Sequence, residues 1–395
     1  MKILSTTICY PTPTHPTQGI FIHHRLAALS RRVEVRVICP VPYFPGYSSA
    51  PSADRLEPPL PVYYPAMPYV PGILKSLDAR CFAWSLCRRV RPLRSTFPFD
   101  LIDAHFVWPD GVGAAEVARK LGVPIVVTVR GKLGSQLPYR FRRRRIVSML
   151  HRVDGRIAVS QSLARQVHSA AGEDLDVRVI PNGVDTAVFR PCDALTARRA
   201  LGWPTEPRYV VSVGQVREIK GFDRLVEVLP DVRRRVGDVR LILVGPGIGE
   251  TAYERRLNRL IRDHRLEGIV EHVGPKDQPT VARFLAAADV FALATRSEGW
   301  CNAIQEALAV GTPVVTTDVG GNRELIVNDR LGLLVPFGDS VKLTEALVRA
   351  LRAQWDRAAI AAFGGRRTWD RVADETLAYF EHVLSRRTGD GRNRP

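Results

Sequence analysis

The chain has 395 residues, which exceeds the usual size of one hydrophobic core and predicts two domains. Its composition, with 45% hydrophobic and 25% charged residues, is typical of a soluble globular protein and excludes a largely disordered chain. A formal net charge of +17 favours polyanions or an anionic membrane face as partners, but no apolar run approaches the roughly 18 residues of a membrane span.

Cysteines and the N-terminal segment predict a cytoplasmic protein. The six cysteines form no C-x-x-C pair and no His spacing typical of zinc, so we expect reduced, mostly buried thiols. The opening apolar run is too short for a signal peptide and is soon interrupted by Pro11 and Pro13.

In the first half of the chain, short apolar runs alternate with helical patterns. MKILSTT predicts a strand, IFIHHRLAALSRR a helix and VEVRVICPV a second strand. FDLIDAHF, VPIVVTVRG and GRIAVS predict further strands, with helices such as GVGAAEVARKL between them. This alternation predicts a doubly wound parallel sheet, interrupted by a Pro- and Tyr-rich stretch at 39–72 that we expect to be a long loop.

The same α/β pattern restarts in the second half. RYVVSVGQ, VRLILVG, IVEHVG, DVFALAT, PVVTTDV and GLLVP predict its strands. We therefore expect an N-terminal domain at 1–190 and a C-terminal domain at 191–371, with a helix at about 372–388 that packs back on the first. Two such domains in tandem would face a cleft lined by the carboxyl ends of both sheets, where ligands bind in open α/β folds.

Two glutamates stand in the segment SEGWCNAIQEALAVGTPVVTTDVGG, residues 297–321. Glu306 lies in an alanine-rich helix, which Gly311 can end in a left-handed conformation. Asn302 offers an N-cap for this helix, so Glu298 is expected on the loop before it.

The start of this helix predicts a phosphate site, because unpaired N–H groups at Asn302 and Ala303 would attract anions. Glu298 would then lie near the group that a diphosphate carries, and Glu306 could accept hydrogen bonds from ribose hydroxyls. Arg217 and Lys220, on the loop after an earlier strand, are suitable counter-charges for a diphosphate. Taken alone, the two glutamates could equally be surface residues with no ligand.

Several motifs together resemble one family. The E-x7-E spacing, VG…KGFDRL, AADVFAL, VIPNGVD and the opening HPTQGIFIHHRLAALSRRVEVRVICPVPYFP look like family 4 retaining glycosyltransferases, over nearly the whole chain. The opening resembles members that build bacterial surface polysaccharides. The resemblance implies a GT-B fold, two Rossmann-like domains facing a cleft, and sugar transfer from a nucleotide diphosphate sugar to a glycan or lipid-linked acceptor.

The resemblance also implies roles for single residues. Glu298 matches the first motif glutamate, which contacts the donor sugar near its reacting centre, and Glu306 matches the second, which holds the nucleotide ribose. Lys220 matches the diphosphate-binding lysine, and Gly19 matches a glycine of the first β-to-α loop that lies close to the donor phosphates. No metal or other cofactor is expected, because no Asp-x-Asp pair stands at a strand end and basic groups replace Mg²⁺ in GT-B enzymes.

Two positions depart from the family pattern. Gln215 stands where members usually have Arg, so Arg217 is the candidate for a second positive charge at the diphosphate. Arg130 stands where many members have His, and the role of that histidine does not carry over. His105 and Arg130 are retained as candidate residues on the acceptor side.

Other functions stay open at this point. A nucleotide-sugar epimerase would share the fold, a glycan phosphorylase would need a lysine-bound pyridoxal phosphate, and a non-catalytic polyanion or membrane-binding protein would explain the charge. The first β-to-α turn lacks G-x-G-x-x-G, which argues against a nicotinamide enzyme. The basic runs at 87–94 and 139–147 are candidates for docking on the anionic inner membrane face, and neither is taken to predict nucleic-acid binding.

Overall fold

The computed structural model describes residues 1–44, 53–57, 59–70, 72, 74–131, 133–247 and 251–390. The chain divides into two compact units: Met1–Gly183 with Trp369–Pro395, and Val184–Thr368. Each unit has its own parallel sheet and hydrophobic core.

The first unit is built on a seven-stranded parallel sheet with the strand order β4-β2-β1-β6-β7-β8-β9, and a separate two-stranded parallel sheet pairs β3 with β5. Its strands in the described residues are β1 (Lys2–Thr6), β2 (Glu34–Ile38), β3 (Val41–Tyr43), β4 (Val62–Tyr63), β5 (Ala66–Pro68), β6 (Leu101–His105), β7 (Ile125–Val129), β8 (Gly155–Ala158) and β9 (Arg178–Val179). Its helices before the second unit are α1 (Ile20–Ser30), α2 (Asp78–Thr96), α3 (Val112–Leu121), α4 (Leu133–Gln136), α5 (Arg140–Arg152) and α6 (Gln161–Ala171), and an irregular π-helical turn at Val107–Gly111 precedes α3.

The second unit is built on a six-stranded parallel sheet with the order β12-β11-β10-β13-β14-β15. The strands are β10 (Arg208–Val213), β11 (Val239–Val244), β12 (Val270–His272), β13 (Val290–Leu293), β14 (Val314–Thr317) and β15 (Gly332–Val335). The helices are α7 (Ala194–Leu201), α8 (Phe222–Val236), α9 (Ala252–Asp263), α10 (Gln278–Ala287), α11 (Asn302–Ala309), α12 (Asn322–Leu325), α13 (Ser340–Arg352) and α14 (Arg357–Gly364), and a short 3₁₀ turn covers Glu218–Lys220. This is the strand order of a Rossmann fold.

Central strands of both sheets are buried and mostly apolar, as expected for parallel sheets whose two faces are covered by helices. All residues of β7 (IVVTV) and of β13 (VFAL) are buried, as parallel sheets require. The predicted fold class, α/β with two Rossmann-like doubly wound domains, is therefore confirmed.

The stretch at 39–72 differs from the predicted loop. Among its described residues it contains three short strands: β3, β4 and β5. β4 extends the main sheet beside β2, and β3 pairs with β5. Proline is tolerated in β3 and β5 because a two-stranded sheet leaves each strand with a free edge. Residues 45–52, 58 and 71 of this stretch lie outside the described ranges.

The last helix, α15 (Trp369–Asp390), belongs to the first unit. It packs against α1, and Arg31 and Arg32, which directly follow α1, pair with Asp370 at 2.8 and 3.0 Å. Arg32 also pairs with Asp374. The chain thus returns to its first unit after completing the second.

Candidate functional site

Two loops of the second unit carry the predicted donor-binding residues, and both follow strands at the centre of the sheet. Lys220 lies in the loop after β10, and Glu298 lies in the loop after β13. These strands are neighbours, and the strand order reverses between them. Ligands bind in open α/β folds at such a switch point, outside the carboxyl ends of the strands. The sheet therefore brings the two predicted residues to one place.

The backbones of the two loops lie in close contact. Gly221 follows Lys220 with φ +70°, and a Cβ at this position would lie 2.0 Å from the carbonyl oxygen of Ala294. Only glycine fits both the left-handed conformation and the space. The N–H of Arg296 donates to the carbonyl of Ile219 at 2.8 Å, which ties the loops together at a second point.

An ion pair joins the two predicted side chains. Nζ of Lys220 donates to Oε1 of Glu298 at 2.6 Å, and the side chains are only 25% and 12% exposed. Burial lowers the pKa of Lys220, but Glu298 acts in the opposite direction and the net effect raises the pKa above its ordinary value. The lysine therefore remains positively charged beside a carboxylate, at a position open enough for an anion to reach it.

Thr295 connects both loops and was missed by the sequence reasoning. Its buried hydroxyl donates to the carbonyl of Ile219 at 2.8 Å and lies 3.3 Å from Oε1 of Glu298. The hydroxyl of Thr317, on β14, donates to the carbonyl of Thr295 at 2.6 Å. A polar residue directly after the apolar run VFALA was the signal in the sequence that pointed to this position.

A glycine turn after β14 supports the backbone of Glu298. Gly320 has φ +55°, and a Cβ there would lie 1.8 Å from the carbonyl oxygen of Glu298. Any larger residue would have to push the Glu298 loop away. The position of this carboxylate therefore depends on three successive central strands: β10, β13 and β14.

Glu306 lies on α11, eight residues after Glu298. Glu306 is half-buried, its carboxylate has no hydrogen-bond or ion-pair partner in the part of the chain that the structure describes, and burial raises its pKa to about 7. Desolvation without a compensating partner has this effect on a carboxyl group. A ligand that donates hydrogen bonds would supply the missing contacts.

The start of α11 differs from the predicted cap. Cys301 is the N-cap residue and makes no side-chain cap hydrogen bond, whereas Asn302 and Ala303 are the first two helical residues. The prediction of Asn302 as N-cap was therefore wrong. The first turn contains no acidic residue, so no carboxylate of that turn offsets the positive end of the helix.

Gln215 and Arg217 lie in the loop between β10 and the 3₁₀ turn. Both side chains are exposed, and the N–H of Arg217 donates to the carbonyl of Gln215 at 2.8 Å. The loop leaves the guanidinium of Arg217 in solvent, without the buried ion pair that holds Lys220.

The remaining predicted residues belong to the first unit. Gly19 is the N-cap of α1, with φ +66°. His105 ends β6 and Arg130 follows β7, and the side chains are buried together: Nε of Arg130 donates to Nδ1 of His105 at 3.0 Å. Nη1 of Arg130 donates to Oδ1 of Asn182 at 2.9 Å.

The contacts of His105 define its protonation. Because Arg130 donates to Nδ1, the ring proton is on Nε2, which lies 3.0 Å from the hydroxyl of Ser5 and 3.3 Å from Oδ2 of Asp103. Burial and then the charges of Arg130 and Arg25 lower the pKa of His105 well below its ordinary value. The imidazole is therefore neutral and enclosed, with no surface exposed to a substrate.

Within the described residues, no three His, Cys, Asp or Glu side chains are grouped so that they could hold a metal ion. In the same ranges, none of the helices has both the length and the apolar character needed to cross a bilayer.

Two family models match the chain and together cover most of it. The model for glycosyl transferases group 1 matches residues 193–366, and the model for glycosyltransferase family 4 matches residues 18–188. Both ranges overlap the units described above.

Curated relatives are similar over most of their length. A D-inositol 3-phosphate glycosyltransferase from Arthrobacter sp. (strain FB24) is 33% identical, over 80% of this chain and 76% of its own length. A putative teichuronic acid biosynthesis glycosyltransferase, TuaC from Bacillus subtilis (strain 168), is 29% identical over 88% of this chain and 89% of its own.

Solved structures have the same fold. Sucrose-phosphate synthase from Thermosynechococcus elongatus superposes with a TM-score of 0.81 at 20% identity, over 98% of this chain and 99% of that chain. Anabaena HepE, in complex with UDP and glucose, superposes with a TM-score of 0.77 at 22% identity, over 96% and 99%. These are GT-B structures, which confirms the predicted fold class.

Proposed function

Because the chain belongs to the glycosyltransferases of group 1 and family 4, we propose that it moves a sugar from a nucleotide diphosphate sugar to a glycan or lipid-linked acceptor with retention of configuration. The observation that carries this proposal is the ion pair of Lys220 and Glu298 at the switch point of the second sheet. The UDP and glucose bound to HepE, a protein of the same fold, support UDP as the first nucleotide to test. The similarity to TuaC supports a role in surface polysaccharide synthesis.

The proposed reaction breaks the bond between the anomeric carbon and the diphosphate oxygen and forms a bond from that carbon to an acceptor hydroxyl oxygen. The nucleoside diphosphate leaves with the electron pair, and the acceptor proton passes to a leaving phosphate oxygen. Negative charge develops on the diphosphate and positive charge on the sugar ring. Groups fixed in place before the reaction stabilise such charges most effectively.

The surroundings of each candidate residue in the second unit suit it to one role in the proposed reaction. Lys220 and the uncapped start of α11 stabilise the diphosphate, and Arg217 can fold onto it from solvent. Glu298 orients the sugar and stabilises the positive ring. Glu306, which lacks a protein partner, accepts hydrogen bonds from the ribose hydroxyls. Because Gln215 replaces the arginine that family members usually have, Lys220 is the main positive side chain proposed to stabilise the diphosphate. No step of the proposed reaction requires a metal ion.

The ion pair has a consequence for donor binding. Lys220 donates to Glu298 at 2.6 Å, so a bound diphosphate would compete with the glutamate for the positive charge of the ammonium group. Binding would free the Glu298 carboxylate for the sugar. Binding of the donor would thus release Glu298 from Lys220 before the sugar is transferred.

Calorimetric binding of UDP, GDP and ADP to the wild type and to Lys220→Ala tests the proposal. We expect one nucleotide to bind the wild type and to lose at least tenfold in affinity on loss of the lysine. Lys342→Ala is a matched control, because Lys342 pairs with Asp339 at 3.6 Å on the surface of the same unit. If no nucleotide binds the wild type, the proposed function is wrong, and the alternative of a non-catalytic binding protein is favoured instead.

Turnover of the nucleotide sugar with and without an acceptor distinguishes the proposed transferase from an epimerase of the same fold. Under the proposed function, the sugar is released from its nucleotide only when an acceptor hydroxyl is present, apart from slow hydrolysis. Conversion of the nucleotide sugar to an epimer without any acceptor would favour the alternative enzyme of the same fold.

We also propose that the exposed surface of α5 docks on an anionic membrane, where a lipid-linked acceptor would lie. Arg142 and Arg145 are engaged by protein groups, since Arg142 stacks on Tyr139 and Arg145 pairs with Glu116. Arg140, Arg143 and Arg144 are exposed beside the exposed rings of Tyr139 (58%) and Phe141 (48%). Cations next to exposed aromatic rings are typical of segments that lie in the membrane interface.

Vesicle binding tests the α5 surface. Replacement of Arg140, Arg143 and Arg144 by Gln should weaken binding to phosphatidylglycerol vesicles in low salt, since each cation near such a surface contributes about 1 kcal/mol. Replacement of Arg255, Arg259 and Arg262 by Gln on α9 removes the same charge from another exposed helix. Equal binding of the two triple variants would contradict the proposal.

A further inference from the structure

Gln305 is a buried amide on α11, directly before Glu306. The residue is only 3% exposed. Nε1 of Trp300 donates to its Oε1 at 2.8 Å, and its Nε2 donates to the carbonyl of Arg367 at 3.3 Å. A buried amide is costly to a fold unless its polar atoms are bonded, so these two contacts explain why a polar side chain can occupy this position.

The two partners determine the chemistry of this bridge. An indole N–H can only donate, and a carbonyl oxygen can only accept. The side chain between them must therefore present an oxygen to Trp300 and an N–H to Arg367, which fixes the orientation of the amide. A leucine at position 305 would offer neither group, and an ionised glutamate would offer no donor.

Trp300 belongs to the loop that carries Glu298 and lies two residues after it. In the described ranges, no backbone N–H of residues 297–300 donates to a backbone carbonyl. Gly299, between the two residues, has no side chain that could make a contact. The second half of the loop is therefore held by the indole of Trp300 rather than by its backbone.

Other contacts restrain the first half of the loop and the carboxylate itself. Thr295 ties the residues before Glu298 to the loop after β10, and Lys220 binds the carboxylate. Neither of these contacts restrains the backbone that follows Glu298. The bond from Trp300 to Gln305 supplies that restraint, since it fastens the loop to the helix that comes after it.

The anchor of the bridge is itself fixed. Gly364 of α14 packs so closely on α11 that a Cβ there would lie 2.3 Å from the backbone nitrogen of Ala309. The carbonyl of Arg367 also accepts from the N–H of Val184 at 2.9 Å, so it has two donors. Val184 begins the second unit, and Thr368, which follows Arg367, ends it. The bridge thus anchors the loop where the first and last segments of this unit meet.

We propose that Gln305 is a positioning residue, which holds the carboxylate of Glu298 at the reacting sugar by fixing Trp300. The inference rests on the proposed function, in which Glu298 acts on the sugar and Lys220 on the diphosphate. In the described ranges, neither bridge residue bonds to Lys220, so the bridge should affect catalysis more than nucleotide binding. A catalytic group displaced by about 1 Å can lower a rate about 100-fold, so the loss of one restraint is measurable in kcat.

Two substitutions break the bridge from its two ends. Trp300→Phe keeps an aromatic ring and removes the donor, and Gln305→Leu keeps a buried side chain and removes the amide. We expect each to lower kcat for sugar transfer about tenfold, as the loss of one buried hydrogen bond allows, and to change the affinity for UDP less than about threefold. The double variant should lose little more than either single variant, because both act through one contact.

Matched controls lie in the same unit. Nε1 of Trp355 donates to the carbonyl of Ala350 at 2.8 Å, and Gln354 is exposed. Trp355→Phe removes a similar hydrogen bond and Gln354→Leu a similar amide, and both should keep the kcat of the wild type. Thermal unfolding of every variant verifies that the assayed protein is folded and separates a loss of stability from a loss of kcat.

Hydrogen exchange tests the restraint without a substrate. The N–H of Gln305 donates to the carbonyl of Cys301 at 3.3 Å, at the start of α11. This amide should exchange at least about fivefold faster in Trp300→Phe than in the wild type, because the loop no longer holds the first turn of the helix. In Trp355→Phe its rate of exchange should not change.

The inference is wrong if either single variant keeps the kcat of the wild type, if the losses add in the double variant, or if the exchange of the Gln305 amide is unchanged in Trp300→Phe. A loss of UDP affinity as large as that in Lys220→Ala would also overturn it, because the bridge would then serve the diphosphate. Failure of the proposed function looks different: the wild type binds no nucleotide, whereas the exchange of the Gln305 amide still depends on Trp300.

Discussion

Lys220 and Glu298 form an ion pair of 2.6 Å although 78 residues separate them in the chain. Each follows one of two neighbouring strands, β10 and β13, so the pair exists because the order of the sheet reverses there. Both side chains are shielded enough for their charges to interact strongly. The pair is thus a property of the sheet rather than of either loop alone.

Removing the charge of Glu298 should separate catalysis from binding. Glu298→Gln keeps the shape of the side chain, and we expect kcat to fall about 100-fold or more because the positive sugar ring loses its carboxylate. UDP should bind more tightly, because Lys220 no longer has a negatively charged partner that competes with the diphosphate. Initial rates and calorimetry measure the two effects, with Glu345→Gln as an exposed control. Weaker UDP binding together with an unchanged kcat would contradict this assignment.

Thr295 should act as a positioning residue. Thr295→Val removes the hydroxyl that donates to Ile219 and lies 3.3 Å from Glu298, and we expect kcat to fall about tenfold, as the loss of one hydrogen bond allows. KM for the donor should change less than kcat. Thr295→Ser restores the hydroxyl and should recover most of the activity. If Ser and Val variants have the same kcat, the hydroxyl has no positioning role.

Gly320→Ala should damage the active site more than an ordinary glycine replacement. The new Cβ would meet the carbonyl of Glu298, so that loop must move, and kcat should fall at least tenfold. Gly338→Ala is the matched control, since Gly338 also has a positive φ of +86° but nothing within 4 Å of its Cβ position. Both variants should lose stability through backbone strain, and only Gly320→Ala should lose activity in steady-state assays of the folded protein.

Glu306 should make stability depend on pH. Its pKa is raised from 4.5 to about 7, so the folded chain binds a proton that the unfolded chain has already lost in this range. The free energy of unfolding should therefore fall between about pH 4.5 and pH 7, by at most about 3 kcal/mol. Urea unfolding of the wild type and of Glu306→Gln tests this: the difference between them should grow as pH rises. A constant difference would show that burial does not shift this group.

The sequence predicts the elements well because local patterns determine them. Apolar runs such as IVVTV and VFAL have few alternatives once turn residues bound them, and both are buried strands. The loops that hold Lys220 and Glu298 were likewise predictable, since polar residues after such strands lie at the carboxyl edge of a parallel sheet. The pairing of these two residues was not, because it depends on strand order.

Other features depend on packing that no local pattern specifies. Asn302 has a good intrinsic preference for an N-cap, but the buried Cys301 takes the cap position in an extended conformation and the helix begins one residue later. Arg130 could be placed after its strand, but its buried bonds to His105 and Asn182 depend on residues that come from other parts of the chain. Burial and hydrogen bonding of this kind arise only from the assembled fold.

The reversal of strand order in the second sheet also determines which insertions and deletions the chain can accept during evolution. The segment between β10 and β13 contributes β11 and β12 on one side of the sheet, while β14 and β15 extend the other side. Insertions or deletions in the outer loops of that segment would leave β10 and β13 adjacent. Such changes in length and surface would therefore leave Lys220 and Glu298 paired at the centre of the sheet.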